Sequence, residues 1–189
     1  MIQYRILESG EICRELFQNF TRRQIVTKCW RREKGIWVVK DAPFVDDWTE
    51  EDYRTLIDCL KNTVDTGGVV YAALCGNVLK GFVSVEPCLF GGEQKYLDLS
   101  SLHVSEDMRH MGIGTSLFLL AKEWAGKQGA HKLYISAHSA VETQNFYKKW
   151  AAWRHRFITN SMPPQNHMTA SWNAALYRCE NPAAGQTIK

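Results

Sequence analysis

The chain has 189 residues, of which 45% are hydrophobic and 23% are charged, and its formal net charge at pH 7 is +3. This length and composition fit a globular domain with a buried core, and the apolar runs are too short to cross a bilayer. Residues 151–189 carry the whole net charge, so residues 1–150 are neutral. A neutral body argues against a nucleic-acid partner, because nucleic-acid-binding surfaces carry clustered basic residues.

The cysteines at positions 13, 29, 59, 75, 88 and 179 form no C-x-x-C pair. Cysteines scattered in this way are typical of reduced thiols, which favours a cytoplasmic protein without a disulfide framework. No charged-then-apolar segment opens the chain, so we expect no export signal and no membrane partner.

The hydrophobic pattern of the first half predicts two strand regions and two helices. In chain order these are a strand over 2–7, a helix over 10–20, two strands within 23–40 around a charged turn, and a helix that opens at Asp47-Trp-Thr-Glu-Glu and runs through about 62. Thr49 is the predicted N-cap of the second helix, because Asp52 follows three positions later and completes a capping box.

The second half predicts a hairpin followed by strand, helix, strand and helix. The elements are a hairpin over 67–87 that turns at Gly76-Asn77, a strand over 95–105, a helix over 112–128, a strand over 132–137, and a helix over 141–150. Ser139 and Glu142 form a predicted capping box before the last helix. This alternation predicts a parallel strand pair.

The strand over 95–105 changes its alternation at Ser100-Ser101. Leu97 and Leu99 share one phase, whereas Leu102 and Val104 share the other. One extra residue, a β-bulge, produces such a switch. We therefore expect this strand to splay from its parallel neighbour and to leave backbone groups for a ligand.

The segment from Arg109 to Thr115 contains two glycines, Gly112 and Gly114, and leads directly into a predicted helix. The first N–H groups of a helix lack partners and carry the positive end of its dipole, so a glycine-lined turn there suits a pyrophosphate. The alternative is a tight turn whose glycines only relieve packing. A Walker loop is excluded because no Gly-Lys-Ser/Thr follows, and the glycine spacing does not fit a Rossmann fingerprint.

Together these motifs resemble the GNAT N-acetyltransferase superfamily, in a bacterial subgroup. The resemblance rests on the strand end LHVSEDMR, the R-x-x-G-x-G turn, the long helix, the strand KLYISA and the closing FYKK, and it covers about residues 67–150. It implies an α/β (α+β) acyl-CoA N-acyltransferase fold, in which helices flank a mixed central sheet with a splayed parallel strand pair.

The resemblance also implies the reaction. Acetyl-CoA would donate its acetyl group to a primary amine by direct attack in a ternary complex, with no metal. A small-molecule amine is favoured over a protein acceptor, and a homodimer is compatible with the family. The alternatives are a protein N-acetyltransferase and a catalytically weak or idle acyl-CoA-binding or regulatory module.

The resemblance places CoA-binding residues at the strand end, in the glycine turn and after the last motif strand. These residues are Leu102, His103, Val104, Arg109, His110, Met111, Gly112, Ile113, Gly114, Thr115 and Ser139. Ser139 occupies a position where relatives often have an asparagine.

Three side-chain types carry the implied chemistry. Tyr147 matches the tyrosine that protonates the departing CoA thiolate. Asp98 occupies the position of a glutamate base in the histone-acetylating branch, with a structural strand aspartate as the alternative. His103 and His138 are expected near the same opening, more as hydrogen-bonded structural residues than as catalysts.

Aromatic and acidic residues in the first half predict the acceptor pocket, since they suit a cationic amine. They are Trp30, Trp37, Asp46, Asp47 and Trp48, beside Phe44. Acetyltransferases of the streptothricin kind have a comparable stretch. The alternative for Trp30 and Trp37 is simple packing on the sheet.

We divide the chain into an acetyltransferase domain over 1–150 and an atypical tail over 151–189. Relatives follow the tyrosine helix with Gly-Phe or Gly-Cys and two antiparallel strands, whereas this chain has Trp150-Ala151 and later Pro163-Pro164. If the Lys149 codon ends in A, the next codons read Met-Gly one base out of frame. Our hypothesis is a frameshifted tail that replaces or improvises the last strands; a divergent tail is the alternative.

Overall fold

The computed structural model describes residues 1–34 and 36–149, together with the backbone of two strands in the tail. The strands are β1 (Ile2–Ile6), β2 (Arg23–Glu33), β3 (Ile36–Asp47), β4 (Val69–Cys75), β5 (Val78–Val85), β6 (Tyr96–Val104), β7 (Lys132–Ser136), β8 (Trp153–Arg154) and β9 (Ala174–Arg178). The helices are α1 (Glu50–Asp65), α2 (Ile113–Lys127) and α3 (Val141–Lys148).

Seven strands form one mixed sheet in the order β1-β4-β5-β6-β7-β9-β8. Within it β6 and β7 are parallel, and the other neighbours are antiparallel. Successive residues of a strand point to opposite faces, and on β5 Phe82 packs with α1 residues whereas Val83 packs with α2 residues. Helices therefore cover both faces of the sheet, which confirms the predicted mixed α/β architecture.

The predicted bulge and splay are both present in β6. Leu99 pairs with Val85 and Ser101 pairs with Ser84, so Ser100 is the extra residue. The parallel ladder between β6 and β7 ends at the pair Asp98–Tyr134, although β6 continues to residue 104. Beyond Asp98 the two strands diverge and open a cleft at the carboxyl end of β6.

The hairpin of β2 and β3 forms a sheet of its own. It attaches to the loop between β7 and α3 through a bridge between Cys29 and Ala140. The N–H of Trp30 also donates to the Ser139 carbonyl oxygen at 2.9 Å. Val26, Cys29 and Ala140 are buried together at this junction. The hairpin therefore lies beside the splayed end of the main sheet.

The predicted helix over 10–20 is wrong. Two 3₁₀ helices, Ser9–Glu11 and Arg14–Phe17, occupy that segment. Cys13 between them is extended, with φ −137° and ψ 171°, which ends any continuous helix. The Glu11 carboxylate accepts from the N–H of Glu8 at 2.9 Å and closes the first turn as a separate unit. The segment still buries its apolar side chains Ile12, Phe17 and Phe20.

One predicted helix cap is present and the other is wrong. Thr49 caps α1, and its hydroxyl oxygen and the Asp52 carboxylate complete the capping box. The N-cap of α3 is Ala140, and no side chain caps this helix. The Ser139 hydroxyl instead accepts a hydrogen bond from Arg31 Nη1 at 2.6 Å, because the hairpin packs against it.

Most of the tail lies outside the described residues, so the predicted division at residue 150 and the frameshift stay predictions. The described backbone of β9 runs antiparallel to β7 and pairs with it from Lys132–Arg178 to Ser136–Ala174. In the described part of the chain, no helix is both long and apolar enough to cross a membrane. No group of three or more His, Cys, Asp or Glu residues there is placed to hold a metal ion.

Candidate active site

The cleft between β6 and β7 brings the predicted CoA-binding strand end and glycine turn into one continuous stretch. Leu102, His103 and Val104 pair with β5 on one side. Among the described residues they have no ladder partner on the other side, where β7 has diverged. A ligand that lies in the cleft can therefore reach the free backbone edge of β6.

The glycine turn leaves the first N–H groups of α2 available. Gly112 is the N-cap of α2 with φ 81°, and no side chain caps the helix. His110 also has a positive φ, of 64°. The N–H groups of Ile113 and Gly114 have no acceptor within the helix, because they belong to its first turn. This geometry suits an anion such as pyrophosphate.

The turn is tied to the chain that precedes β2. The N–H of Thr21 donates to Ser105 Oγ at 3.1 Å, and the N–H of Glu106 donates to the Thr21 carbonyl oxygen at 2.9 Å. Lys80 Nζ and Ser105 Oγ both donate to the Asp107 carboxylate, at 2.6 Å each. Arg109 folds back, so that its Nε donates to the Val104 carbonyl oxygen at 3.3 Å.

Asp98 lies at the end of the parallel ladder, beside Glu86. The N–H of Glu86 donates to the Asp98 carbonyl oxygen at 2.8 Å. Burial, and then the negative charge of Glu86, raise the pKa of Asp98 to about 7. The Glu86 carboxylate is held by the hydroxyls of Thr63 at 2.8 Å and Ser100 at 2.7 Å. Asp98 can therefore exchange a proton near neutral pH.

The two histidines accept hydrogen bonds through Nδ1. Arg22 Nε donates to His103 Nδ1 at 3.2 Å, and the N–H of Ala140 donates to His138 Nδ1 at 3.0 Å. Burial, followed by the charges of Arg22 and Arg109, lowers the pKa of His103 to about 3. Burial also lowers the pKa of His138. Both rings are therefore neutral at pH 7 and carry their proton on Nε2.

Tyr147 lies in α3 with 6% of its surface exposed. Its ring packs edge-on against Phe146 and Phe118, with centroid distances of 5.0 and 6.3 Å. Burial raises the pKa of Tyr147 above its ordinary value of 10.0. The hydroxyl is therefore protonated at neutral pH, and it can donate a hydrogen bond.

The predicted acceptor residues do not form one cluster. Asp46 and Trp48 lie together, because Asp46 accepts from Arg22 Nη2 at 2.6 Å and Trp48 packs on His103 with ring centroids 4.7 Å apart. Trp30 lies elsewhere, with Lys148 Nζ 4.4 Å from its ring centroid.

The other two predicted acceptor residues also lie on the hairpin. Trp37 pairs with Arg32 near the hairpin turn, which places it roughly 30 Å along β3 from Asp46. Asp47 pairs with Arg23 at the opposite end of the hairpin. Trp37 therefore lies far from the cluster that Asp46 and Trp48 form.

Sequence reasoning missed Glu86 and Arg22. Glu86 follows β5, a strand whose last five residues, from Gly81, are all buried, and an acidic residue directly after such a strand is a usable signal. Arg22 is 8% exposed, but it stands beside Arg23 in a charged segment, so the sequence gives no sign of its burial.

The chain matches a protein-family model and several solved structures. Residues 24–152 match the family model described as "Acetyltransferase (GNAT) family". No curated protein sequence matches the chain. The chain is similar to the crystal structure of nourseothricin acetyltransferase, with TM-score 0.68, 16% identity, and coverage of 95% of this chain and 99% of that one.

Two other solved structures are similar. A Bacillus anthracis protein assigned as a streptothricin acetyltransferase, in complex with acetyl coenzyme A, has TM-score 0.67 and 18% identity over 94% of this chain and 96% of that one. An aminoglycoside acetyltransferase from an uncultured soil metagenomic sample has TM-score 0.53 and 15% identity over 87% of this chain and 99% of that one. Because the family model matches more than half of its residues, the chain belongs to the GNAT acetyltransferase family.

Proposed function

We propose that the protein transfers an acetyl group from acetyl-CoA to the primary amine of a small molecule, by direct attack in a ternary complex. The observation that carries the proposal is the cleft where β6 leaves β7, with the uncapped start of α2 at its mouth. A free strand edge beside an anion-binding turn fits an elongated ligand with an amide-containing arm and a pyrophosphate.

The donor would lie along these two features. The turn from Arg109 to Thr115 would bind the pyrophosphate, and the backbone from Leu102 to Val104 would bind the arm and the thioester carbonyl. A backbone N–H near that carbonyl would stabilise the negative charge that develops on its oxygen. Ser139 would be a weaker contact for acetyl-CoA, because its hydroxyl already accepts a hydrogen bond from Arg31.

Asp98 and Tyr147 would handle the protons. The amine nitrogen attacks the thioester carbonyl carbon and gives a proton to Asp98, directly or through a water, and the carbon–sulfur bond then breaks. Tyr147 would donate a hydrogen bond or its proton to the departing thiolate. Because burial raises the pKa of Tyr147 while a thiol has a pKa near 8.5, we favour hydrogen bonding over full proton transfer.

A small-molecule acceptor is supported by the similar solved structures, which are described as acetyltransferases of nourseothricin, streptothricin and aminoglycosides. A cytoplasmic location is supported by the free thiols of the described cysteines Cys13, Cys29, Cys59, Cys75 and Cys88. Homodimer formation and the absence of a metal requirement remain parts of the proposal.

The test is thiol release from acetyl-CoA with a panel of amines, diamines, aminoglycosides and lysine-containing peptides. We expect amine-dependent release for at least one small molecule, with mass spectrometry detecting the N-acetylated product. Release only with peptides would replace the small-molecule acceptor with a protein acceptor.

A second candidate function is acyl-CoA binding without turnover. The atypical sequence from Trp150 onward favours it, because that tail supplies the last two strands of the sheet. Tight acetyl-CoA binding in calorimetry, with no thiol release above background for any amine, would establish this function and contradict the first.

A further inference from the structure

Arg22 is a buried cation whose backbone is fixed from two sides. Only 9% of its side chain is exposed. Its N–H donates to Tyr53 Oη at 3.3 Å, and its carbonyl oxygen accepts from the N–H of Trp48 at 3.1 Å. The hydroxyl of Tyr53 in turn donates to the Phe20 carbonyl oxygen at 2.7 Å. The backbone of Arg22, from which the side chain extends, is therefore held in place.

The guanidinium of Arg22 is only partly satisfied. Its Nη2 donates to Asp46 at 2.6 Å and its Nε donates to His103 Nδ1 at 3.2 Å. Its Nη1 is buried and has no hydrogen-bond partner among the described residues. Buried donors of charged groups are almost always paired in folded proteins, so this nitrogen requires an acceptor from outside these residues.

The surroundings of Arg22 favour an anionic acceptor group. Arg109 is close enough that the charge of Arg22, after burial, lowers the pKa of Arg109. His103 is neutral and contributes no negative charge. The described carboxylate bonded to Arg22 is that of Asp46 alone. A second carboxylate on Nη1 would satisfy the donor and offset the repulsion between the two guanidinium groups.

The position of Arg22 points to the acetyl acceptor. His103, its partner, lies on the part of β6 that has left β7, on the face where Trp48 and Phe82 pack. Asp98 is five positions earlier on the same strand, which corresponds to roughly 15 Å. An amine directed toward Asp98 and a carboxylate at Arg22 must therefore be separated by a chain of several carbons.

We propose that Arg22 binds a carboxylate of the acceptor through Nη1, so that the substrates are amino acids with a side-chain amine, such as lysine or ornithine. The inference rests on the proposed function, since the acceptor is the amine of that reaction. Arg22 is then a specificity-determining residue, and Asp46 and His103 position it.

The test compares amines that differ only by the carboxylate. Cadaverine is lysine without its carboxylate, and putrescine is ornithine without its carboxylate. We expect kcat/KM about 10- to 100-fold higher for each amino acid than for its diamine. Arg22→Gln should remove this preference, because it should lower kcat/KM much more for the amino acids than for the diamines. Arg23→Gln is the matched control, because Arg23 is a half-exposed neighbour paired with Glu106.

Four results would overturn the proposal. The first is a wild-type kcat/KM for the diamines that equals or exceeds the value for the amino acids. The second is an Arg22→Gln variant that loses kcat/KM equally for both members of a pair, and the third is one whose only change is in the KM for acetyl-CoA. The fourth is the same loss of kcat/KM in Arg23→Gln as in Arg22→Gln. The third result would assign Nη1 to the donor. Thermal melting checks the fold of Arg22→Gln. If that variant does not fold, Arg22→Lys, which retains the charge, and the wild-type preference decide.

Failure of the proposed function is separable from failure of this inference. Absence of turnover with every amine contradicts the acetyl transfer. Calorimetry with N6-acetyllysine and N-acetylcadaverine on the CoA complex then tests the carboxylate site directly. Tighter binding of N6-acetyllysine that disappears in Arg22→Gln supports the proposal, and equal binding of the two compounds overturns it.

Discussion

At the scale of single residues, Asp98 on β6 lies beside Glu86, which directly follows the adjacent strand β5. Asp98 must be ionised to accept the amine proton, and its pKa is raised to about 7 by burial and by Glu86. We therefore expect kcat/KM to rise with pH through a limb near 7. Removing the negative charge of Glu86 favours ionised Asp98, so Glu86→Gln should move the limb to lower pH.

The pH profiles of Asp98→Asn and Glu123→Gln complete this experiment. Asp98→Asn should remove the limb and lower kcat by about 10²- to 10⁴-fold, the usual contribution of a general base. Glu123 is an exposed residue paired with Lys127 on α2, so Glu123→Gln should leave the limb in place. An unchanged limb in Glu86→Gln would contradict the assignment of the base.

Tyr147 gives the second prediction at this scale. Its hydroxyl is protonated because burial raises its pKa. Tyr147→Phe removes one donor to a leaving group that is already a stable anion, so we expect kcat to fall tens- to a thousandfold rather than to zero. The KM for acetyl-CoA should change little, because the ring remains packed on Phe146. Unchanged turnover would remove Tyr147 from the mechanism.

At the scale of elements, the start of α2 makes a prediction about its two glycines. Gly112 has φ 81°, so Gly112→Ala is strained by about 1–2 kcal/mol whether or not a ligand is bound. A Cβ on Gly114 would meet Phe146 and Val104 at 3.5 and 3.6 Å, which are ordinary contacts. Gly114→Ala should therefore keep the wild-type melting temperature. It should lose acetyl-CoA affinity, because a side chain at this position would block the close approach of the pyrophosphate to the backbone.

Calorimetry and thermal melting of the two alanine variants check this prediction. Gly112→Ala should lower both the melting temperature and the affinity. Full acetyl-CoA affinity in Gly114→Ala would mean that no ligand backbone or phosphate approaches this glycine, and the anion site on α2 would be wrong.

The elements also show what sequence patterns can predict. The bulge at Ser100 was predictable, because alternation records which residues face the same side. The 3₁₀ turns around Cys13 were not, since helical spacing of Ile12, Leu16 and Phe20 says nothing about the extended residue between them. The separate sheet of β2 and β3 was not predictable either, because its attachment is a non-local bridge from Cys29 to Ala140.

At the scale of the whole molecule, the candidate site combines local motifs with distant contacts. The glycine turn and the splayed strand are continuous in sequence and were predicted. The cluster of Arg22, Asp46 and His103 joins three segments up to 81 positions apart, and no pattern in one segment reports the others. This is why the bulged strand and the glycine turn could be predicted from the sequence, whereas the contacts of Arg22 could not.

The reading frame of the tail is tested by the coding DNA. If the hypothesis is correct, the Lys149 codon ends in A and the frame that starts at this base continues as Met-Gly without an early stop. Sequencing the gene shows either result. A Lys149 codon that ends in G, or a stop codon soon after it in that frame, would leave a divergent tail as the explanation.

Whatever the origin of the tail, β9 now covers one edge of β7 along its full length. A chain that ends at Lys149 would expose five residues of unpaired backbone beside the buried Leu133 and Ile135. Each hydrogen bond lost from this strand pair costs about 1 kcal/mol. We therefore expect the melting temperature to fall by about 10 °C for a chain of this size. An exposed edge also pairs with other copies, so we expect aggregation.

The matched control is a chain that ends at Glu180, which removes residues 181–189 but retains β9. It should melt within a few degrees of the full chain and stay monodisperse in analytical ultracentrifugation, because the backbone of β7 remains paired. If the chain that ends at Lys149 behaves in the same way, β9 contributes nothing to the sheet. Residues 1–149 would then fold without the tail.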